Sequence, residues 1–361
     1  MNESTCLYIG VKSRGFTGGR VVSETHKKIL SELFDKHLEI IEVMPGYEPF
    51  LSKMVDLFNF YMSGLNKKIE NDILKRVREY KPTYVFIDQS TLGKIIPKIK
   101  AISPDICVIT FFHNVEWHFF KERLKKEPFI FPLMHKVWKN EYLAVKYSDK
   151  LITLNSRDTA MLFDLYGRRS DFILPLCLED KYQKTTLSDR NHKTVPQGLF
   201  VGSLFFANYR GVKWFITHVA PFINAEITVV GKDFETKRDE LSVCPNVKII
   251  GSVSDLVPYY NEADFIISPI FDGSGMKTKT AEALMYGKLI YGSPEAFMGY
   301  DIDFARVGAI CKTADEFISA INSFELNSLK SYFNPYSREV FCQKYEYQIL
   351  KREFSKVFEN T

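Results

Sequence analysis

Short apolar runs alternate with segments of helical periodicity along nearly the whole chain. The runs of the first half are CLYIG, LEIIEVMP, TYVFID, CVITFF, KLITLN and FILPL, and those of the second half are GLFVGS, EITVVG, VKIIGS, ADFIISPI and KLIYGS. Between the runs, apolar spacing predicts helices that include 21–37, 51–80, 212–222, 256–261 and 278–286. Buried strands joined through helices form right-handed βαβ units. The alternation therefore predicts an α/β fold with parallel sheets, in which ligands bind beyond the carboxyl ends of the strands.

A polar segment divides the two sets of strands. Residues 181–198 have no periodicity and end with Pro196 and Gly198, which is typical of a connecting loop. A chain of 361 residues is long enough for two domains, each with its own core. We place the first domain at 1–185 and the second at 186–335. The remaining segment, 336–361, is rich in aromatic residues and is predicted to be helical from about 337 to 359.

Composition excludes several classes of protein. The net charge of +4 is too small for a general nucleic-acid footprint. The six cysteines form no CxxC pair and no metal-type spacing, and no His/Asp cluster at ligand spacing is visible, so no metal site is predicted. The start of the chain does not read as a secretory signal, and no apolar run reaches the roughly 18 residues of a membrane span. We expect a reduced, cytoplasmic protein, at most peripheral on a membrane.

One stretch of the first half mixes basic and aromatic side chains. KERLKK occupies 121–126 and HKVWK occupies 135–139, with Phe129 and Phe131 between them. Such a surface suits anionic lipid headgroups, but a solvated helix face over core aromatics has the same composition. Charge reversal at residues 125 and 126 distinguishes these interpretations, because only a lipid-binding surface predicts weaker binding to anionic vesicles.

The segment 271–301 places a glycine turn between a buried strand and a helix. Free backbone N–H groups and the helix dipole point to the same place there, which favours an anion. Lys277 and Lys279 add positive charge, and Glu282 follows within one turn. This combination suits a ligand that carries both a phosphate and a sugar hydroxyl. The alternative is an ordinary glycine-rich βα turn in which Lys279 and Glu282 form a solvated i,i+3 pair.

Two strand ends of the first half also have functional patterns. GFTGGR, at 15–20, opens the first helix, but it does not match GxGxxG, the glycine motif that binds dinucleotides. In addition, no acidic residue follows the second strand, where the partner of a dinucleotide ribose is expected. Both observations disfavour a dehydrogenase. The pair Gly18–Gly19 allows a ligand to approach the backbone closely. His113 begins HNVE directly after the strand CVITFF. A histidine at this strand end could contact a small polar ligand, or it could be satisfied by local hydrogen bonds alone.

Taken together, these motifs resemble the retaining nucleotide-sugar glycosyltransferases of the GT-B fold, specifically glycosyltransferase family 4. The matching text of the second half is LFVGSLFFANYRGVKWFITHVAPFI, ITVVGKD, VKIIGSVSDLVPYYNEADFIISPI and GSGMKTKTAEALMYGKLIYGS. In the first half it is GFTGGR, FFHNVEW and KLITLNSRD. The resemblance implies two Rossmann-like parallel-sheet domains facing across a cleft, with the C-terminal helix packing back on the N-terminal domain.

The resemblance also implies roles for individual residues. Glu282 corresponds to the second glutamate of the family's E-x7-E element, which holds the donor ribose, whereas the first glutamate is replaced by Ser274. The family's diphosphate-binding arginine is replaced by Ser203. The resemblance places catalytic roles on His113, Lys277 and Arg210. The implied donor-binding residues are Gly202, Ser203, Gly231, Asp272, Gly273, Ser274, Gly275, Met276, Lys277, Thr278 and Glu282. The implied acceptor-side residues are Gly18, Gly19, Arg20 and Asn114.

The implied activity is transfer of a sugar from a nucleoside diphosphate sugar to a glycan, glycolipid or lipid-linked acceptor. The implied reaction retains configuration, uses no metal or other cofactor, and serves cell-surface polysaccharide synthesis. Peripheral membrane association is expected, and no nucleic-acid partner. A GT-B epimerase or phosphorylase has the same fold and is one alternative. A product assay distinguishes these enzymes from a glycosyltransferase, since an epimerase needs no acceptor and a phosphorylase consumes phosphate. A non-catalytic nucleotide-sugar-binding or scaffold protein is the other alternative, favoured by Ser203 and Ser274.

Overall fold

The computed structural model describes residues 4–12, 18–44, 59–124, 127–183, 195–273, 275–325 and 332–359. These residues form two compact units. The first comprises Met1–Pro175 together with Lys351–Thr361, and the second comprises Leu176–Leu350. The boundary predicted at 185–186 falls outside the described residues.

The first unit is a six-stranded parallel sheet covered by helices. The strands are β1 (Cys6–Val11), β2 (Leu38–Val43), β3 (Tyr84–Ile87), β4 (Cys107–Phe112), β5 (Lys150–Thr153) and β6 (Phe172–Ile173), in the order β2-β1-β3-β4-β5-β6. The helices are α1 (Gly18–Phe34), α2 (Lys67–Tyr80), α3 (Ile96–Ile102), α4 (Glu116–Leu124), α5 (Phe131–Tyr147) and α6 (Ser156–Tyr166). Every residue of β3 and β4 is buried, as expected for central strands of a parallel sheet covered on both faces.

The second unit repeats this architecture. Its strands are β7 (Gln197–Val201), β8 (Glu226–Val230), β9 (Val247–Ile250), β10 (Phe265–Ser268), β11 (Leu289–Gly292) and β12 (Gly308–Ile310), in the order β12-β11-β10-β7-β8-β9, all parallel. The helices up to the sheet's last strand are α7 (Phe206–His218), α8 (Arg238–Leu241), α9 (Val257–Glu262), α10 (Thr278–Met285) and α11 (Phe304–Val307). The remaining helices are α12 (Ala314–Asn322), α13 (Pro335–Val340) and α14 (Tyr347–Ser355).

The expected α/β fold is confirmed, but three elements differ from the prediction. The helix predicted over 51–80 is wrong in its first part, because residues 59–66 form turns and α2 begins at Lys67. The segment predicted to be helical over 337–359 is helical with one interruption. A π-helical turn at Phe341–Tyr345 and extended backbone at Glu346 separate α13 from α14. Strand β12 has only three residues, too few for a periodic signal.

The last residues of the chain pack within the first unit. The ring of Phe358 lies 5.1 Å from the rings of Phe34 and Tyr84, and Tyr84 Oη donates to the carbonyl of Phe358 at 2.9 Å. Phe354 is fully buried, with its ring 5.4 Å from that of Phe86 on β3. These contacts agree with the expectation that the C-terminal helix returns to the N-terminal sheet. In the described part of the chain, no helix is long and apolar enough to cross a membrane.

Candidate functional site

A buried polar cluster lies at the carboxyl edge of the first sheet. β1, β3 and β4 are neighbours in the sheet, and their ends lead to α1, to Asp88 and to His113. Because carboxyl ends of parallel strands meet at one edge, residues far apart in sequence come together there. His26, on the buried face of α1, completes the cluster. The position of His113 at a strand end agrees with the sequence prediction, whereas His26 and Asp88 were not predicted.

Asp88 accepts a hydrogen bond from each of three side chains. Its Oδ1 lies 2.7 Å from His26 Nδ1 and 3.0 Å from His113 Nε2, and its Oδ2 accepts from Tyr8 Oη at 2.6 Å. All four residues are buried. Removing a charge from water is costly unless it is paired and hydrogen-bonded, so the partners compensate for the burial of the carboxylate.

The charges of this cluster influence one another. Burial by itself would raise the pKa of the Asp88 carboxyl, but His113 and His26 together hold that pKa well below its usual range. At His113, burial lowers the pKa, yet the charge and hydrogen bonds of Asp88 outweigh it and the net shift is upward. At His26, burial prevails and the pKa is lowered. An anionic Asp88 thus lies between a neutral His26 and a His113 that takes up a proton readily.

The sequence shows no His/Asp cluster at ligand spacing, but the fold brings three such residues together. One potential ligand atom each from His26, Asp88 and His113 lies within 4.8 Å of the others, and this donor set suits a divalent metal. The side chains come from a helix and two strand ends, so sequence spacing could not bring them together. Their nitrogen-to-oxygen distances of 2.7 and 3.0 Å are those of direct hydrogen bonds.

The predicted acceptor-side residues lie beside this cluster. Gly18 and Gly19 start α1 and are exposed, and a methyl group on Gly19 would lie 3.9 Å from His113 Nδ1. Arg20 lines a shallow depression with Lys12 and Glu42. The structure thus brings Gly19 next to His113, while residues 13–17 of the glycine loop lie outside the described residues.

The segment HNVE is fixed by a second buried carboxylate. Glu141, on α5, accepts from the backbone N–H groups of Glu116 and Trp117 at 2.8 and 3.0 Å, and so caps the start of α4. Burial, followed by the neighbouring Glu116, raises the pKa of Glu141 to about 7. Asn114 donates to Glu116 Oε1 at 3.3 Å. The predicted residue Asn114 is therefore tied to the cap of α4.

In the second unit, the predicted donor residues gather at the carboxyl ends of β7, β8 and β10, which are neighbours in the sheet. A methyl group on Gly231, after β8, would lie 1.8 Å from the carbonyl oxygen of Gly202, after β7. The backbone of the two loops approaches so closely that only glycine fits. Ser203 follows Gly202, and its carbonyl accepts from Asn208 Nδ2 at 2.8 Å.

The glycine turn after β10 is shaped by backbone that favours glycine. Gly273 and Gly275 have φ angles of 140° and 68°. Met276 is buried, Thr278 is the first residue of α10, and Ser274 lies outside the described residues. The turn therefore leads directly into the first turn of α10, as predicted.

The two predicted catalytic cations of this unit contact carboxylates. Lys277 Nζ donates to Glu295 Oε1 at 2.7 Å and to the carbonyl of Gly275 at 2.8 Å. Arg210 contacts Asp272 at 3.1 Å, with more than half of its side chain exposed. Both cations therefore lie at the glycine turn after β10.

Lys279 is the buried cation of this site. Its Nζ donates to Asn208 Oδ1 at 2.8 Å and lies 4.9 Å from the centre of the Phe200 ring. Burial and the charge of Lys277 lower the pKa of Lys279 to about 7, although Glu282 opposes them. The alternative of a solvated Lys279–Glu282 pair is wrong, because Lys279 is buried and reaches Asn208 on α7.

Glu282 is oriented by an aromatic pair. It accepts from Tyr260 Oη at 2.8 Å, and the Tyr260 ring stacks on that of Tyr286 at 4.5 Å and 5°. Burial raises the pKa of Glu282, although the bond from Tyr260 and the charge of Lys279 oppose the shift. The carboxylate is therefore held in one orientation in the second turn of α10.

The basic aromatic stretch of the first unit presents two exposed rings. Phe129 is 79% and Phe131 is 69% exposed, at the start of α5. Lys121 lies 5.0 Å from the Trp117 ring. Residues 125 and 126, where charge reversal was suggested, lie outside the described residues.

Comparisons with known proteins agree with this architecture. Residues 195–324 match the family model described as glycosyl transferases group 1. The resemblance to GT-B glycosyltransferases is confirmed. None of the curated proteins compared with the chain matches it.

Solved GT-B structures cover almost the whole chain. The apo form of the lipopolysaccharide outer core galactosyltransferase WaaB has a TM-score of 0.67 at 13% identity, over 98% of this chain and 99% of its own. Anabaena HepE in complex with UDP and glucose has a TM-score of 0.68 at 10% identity, over 99% and 100%. A UDP-forming α,α-trehalose-phosphate synthase from Burkholderia xenovorans has a TM-score of 0.65 at 9% identity, over 99% of both chains. At these identities the likeness shows the fold, and the family match supports sugar transfer.

Proposed function

We propose that this GT-B protein transfers a sugar from a nucleoside diphosphate sugar to a hydroxyl of a glycan, glycolipid or lipid-linked acceptor, with retention of configuration. The second unit binds the donor, and the first unit contributes the acceptor side. The observation that carries the proposal is that α10 holds both Glu282, oriented by Tyr260, and the buried cation Lys279, close after the glycine turn. A carboxylate suits ribose hydroxyls, and a cation suits a diphosphate.

The proposed reaction requires positive charge at the leaving group. As the bond between the anomeric carbon and the diphosphate breaks, negative charge grows on the diphosphate oxygens. Lys277 and Lys279 lie at the start of α10, where the helix dipole also favours an anion. These groups would stabilise the leaving diphosphate without a metal ion. Front-face attack assisted by the leaving phosphate is the route to retention that the family resemblance favours.

A thermal-shift screen with UDP, GDP, ADP, CMP and their sugar conjugates, in the presence of EDTA, tests the donor site. A ligand at a hundredfold excess over its Kd stabilises the folded state by about 2.7 kcal/mol. We expect one nucleotide to raise the melting temperature of the wild type. Hydrogen bonds to a charged group contribute about 1.5–3 kcal/mol. Glu282→Gln should therefore weaken the Kd of that nucleotide by about 10- to 100-fold.

Glu226→Gln is the matched control, since Glu226 is exposed at the amino end of β8, opposite the site. Equal affinity in Glu282→Gln and the wild type would contradict the proposed ribose contact. No response to any nucleotide would favour the scaffold alternative. The anomer of the product, read by NMR after incubation with an acceptor, tests retention.

Peripheral association with an anionic membrane is part of the proposal, and the exposed rings of Phe129 and Phe131 support it. We expect the protein to sediment with anionic vesicles but not with neutral ones. Replacement of both phenylalanines by serine should abolish this sedimentation. Replacement of the exposed Phe222, in the second unit, should not change it. Sedimentation that is the same in all variants would contradict a role for this surface.

A further inference from the structure

The proposed reaction gives no role to Asp88, His26 or Tyr8, although these residues form a buried polar cluster in the first unit. Asp88 and His26 are each 1% exposed, as is Tyr8. Aromatic rings confine the cluster. The His26 ring lies 4.2 Å from that of Phe111 and 5.3 Å from that of Phe354. A buried network of this kind needs an explanation, because an apolar core would be simpler to build.

The partners of Asp88 determine where the proton of His113 resides. His113 Nε2 lies 3.0 Å from Asp88 Oδ1 and 3.1 Å from the backbone carbonyl oxygen of Asp88. An ionised carboxylate and a carbonyl only accept hydrogen bonds, so Nε2 must carry a hydrogen. The neutral ring therefore has its lone pair at Nδ1. That nitrogen faces the start of α1, where a methyl group on Gly19 would lie 3.9 Å away.

We propose that Asp88, held by His26 and Tyr8, is a positioning residue that keeps His113 in the Nε2–H form with Nδ1 turned towards Gly18–Gly19, where it binds a hydroxyl group of a sugar substrate. This inference rests on the proposed function and adds a residue to the site proposed in the first unit. Asp88 acts through His113 and does not itself touch the substrate.

A hydroxyl is the ligand that suits this nitrogen in both protonation states. Neutral His113 accepts a hydrogen bond at Nδ1, and protonated His113 donates one from it. A hydroxyl can donate in the first case and accept in the second, whereas a carbonyl can only accept and an ammonium can only donate. Gly19 has no side chain, so none from this position lies between α1 and the imidazole.

The first test needs no substrate. Nitrogen-15 NMR of the histidine rings in the full-length wild type reports which nitrogen carries the hydrogen. Above the pKa of His113 we expect the Nε2–H form at this residue. In Asp88→Asn, the new amide can donate to Nε2, so a measurable fraction of the Nδ1–H form should appear. A wild-type His113 in the Nδ1–H form would overturn the proposal, whatever activity the protein has.

The second test uses the transfer reaction with the donor identified by the thermal-shift screen. Partners that orient metal-ligating histidines typically change activity by about 10- to 100-fold, and the same scale is taken for His113. We expect Asp88→Asn to lower kcat/KM by about that factor while the donor Kd stays unchanged. In a His113→Gln background, Asp88→Asn should cause almost no further loss, because the two residues act as one unit. Additive losses would overturn the positioning role.

Tyr8→Phe is the second variant, in case Asp88→Asn does not fold. It removes the hydrogen bond to Oδ2 and leaves both histidine contacts, so we expect a smaller loss in the same direction and an unchanged His113 tautomer. A Tyr8→Phe loss that persists in the His113→Gln background would contradict the proposal. If the wild type shows no transfer with any donor, the proposed function fails, and the tautomer measurement still decides the role of Asp88.

Discussion

Lys279 illustrates how burial changes the chemistry of a single residue. It is 7% exposed, and its pKa is lowered to about 7, first by burial and then by the neighbouring charge of Lys277. An amine with this pKa is partly neutral at physiological pH. An anion bound beside it would favour the protonated form and raise the pKa again. Donor binding and proton uptake are therefore expected to be linked.

This linkage predicts a pH dependence of donor affinity. The protonated Lys279 attracts the diphosphate, so the affinity for a nucleotide sugar should be greatest below pH 7 and fall as the pH rises above 7. One linked proton gives a fall of up to about tenfold per pH unit. Isothermal titration calorimetry between pH 6 and 9, in buffers of different ionisation enthalpy, measures both the affinity and the proton uptake.

Two substitutions serve as controls for this measurement. Lys279→Arg keeps a permanent charge, and Lys279→Gln has none, so both should show an affinity that is independent of pH over this range. Since the phosphates of a nucleotide sugar do not titrate there, a slope that persists in both variants would assign the proton to another group.

Some residues of the candidate site can be predicted from the sequence and others cannot. Glu282, Lys277 and His113 were named because each follows a recognisable strand end. His26 and Asp88 were missed because they are 62 residues apart, and nothing local marks a helix histidine as the partner of a strand-end aspartate. Lys279 was assigned to an anion site or to a solvated pair with Glu282, but its contact with Asn208 was not predicted. Its interaction with Asn208 spans 71 residues and depends on how α7 and α10 pack around β7.

Among the elements, α7 has a close contact that positions the glycine turn. A methyl group on Gly211 would lie 1.8 Å from the carbonyl oxygen of Pro269, just after β10. Atoms cannot approach so closely, so α7 and the end of β10 meet backbone to backbone at this point. Gly211 thereby sets the direction in which the chain leaves β10, and the turn that carries Lys277 depends on it.

Elements with a strong local signal were predicted well. β4 has six consecutive buried residues and β10 has four, and such apolar runs bounded by turn residues are readily recognised. The prediction failed where tertiary contacts decide the boundary. Periodicity alone does not show that the helical turn at Phe341–Tyr345 widens to a π-helix, or that Leu178 forms a β-bridge with Glu346 beside it.

The first and last segments of the chain both belong to the first unit. One core is built from residues between Leu7 and Leu162, and a second from residues between Phe200 and Ile321. The final segment, from Lys351 onwards, then groups with the first unit. In this segment Phe354 and Val357 are fully buried, and Lys150 Nζ donates to the carbonyl of Val357 at 2.6 Å. The stability of the first sheet should therefore depend on residues from the far end of the chain.

Phe354→Ala tests this dependence. Truncation of a buried phenylalanine typically costs about 3–5 kcal/mol, so the free energy of unfolding of the first unit should fall by about that amount. The tryptophans allow the units to be followed separately, because Trp117 and Trp138 lie in the first unit and Trp214 in the second. Denaturant titrations of variants that keep only one set of these reporters give the two transitions.

The expected result is a lower denaturation midpoint in the Trp117 and Trp138 signal, with an unchanged midpoint and nucleotide response in the Trp214 signal. Phe129→Ala is the matched control, because the same substitution at a ring that is 79% exposed should change neither midpoint. Loss of stability in the Trp214 signal alone would contradict the assignment of Phe354 to the first unit. Because Phe354 also contacts the ring of His26, the same variant should broaden the histidine NMR signals of the first unit and leave that of His218, on α7, unchanged.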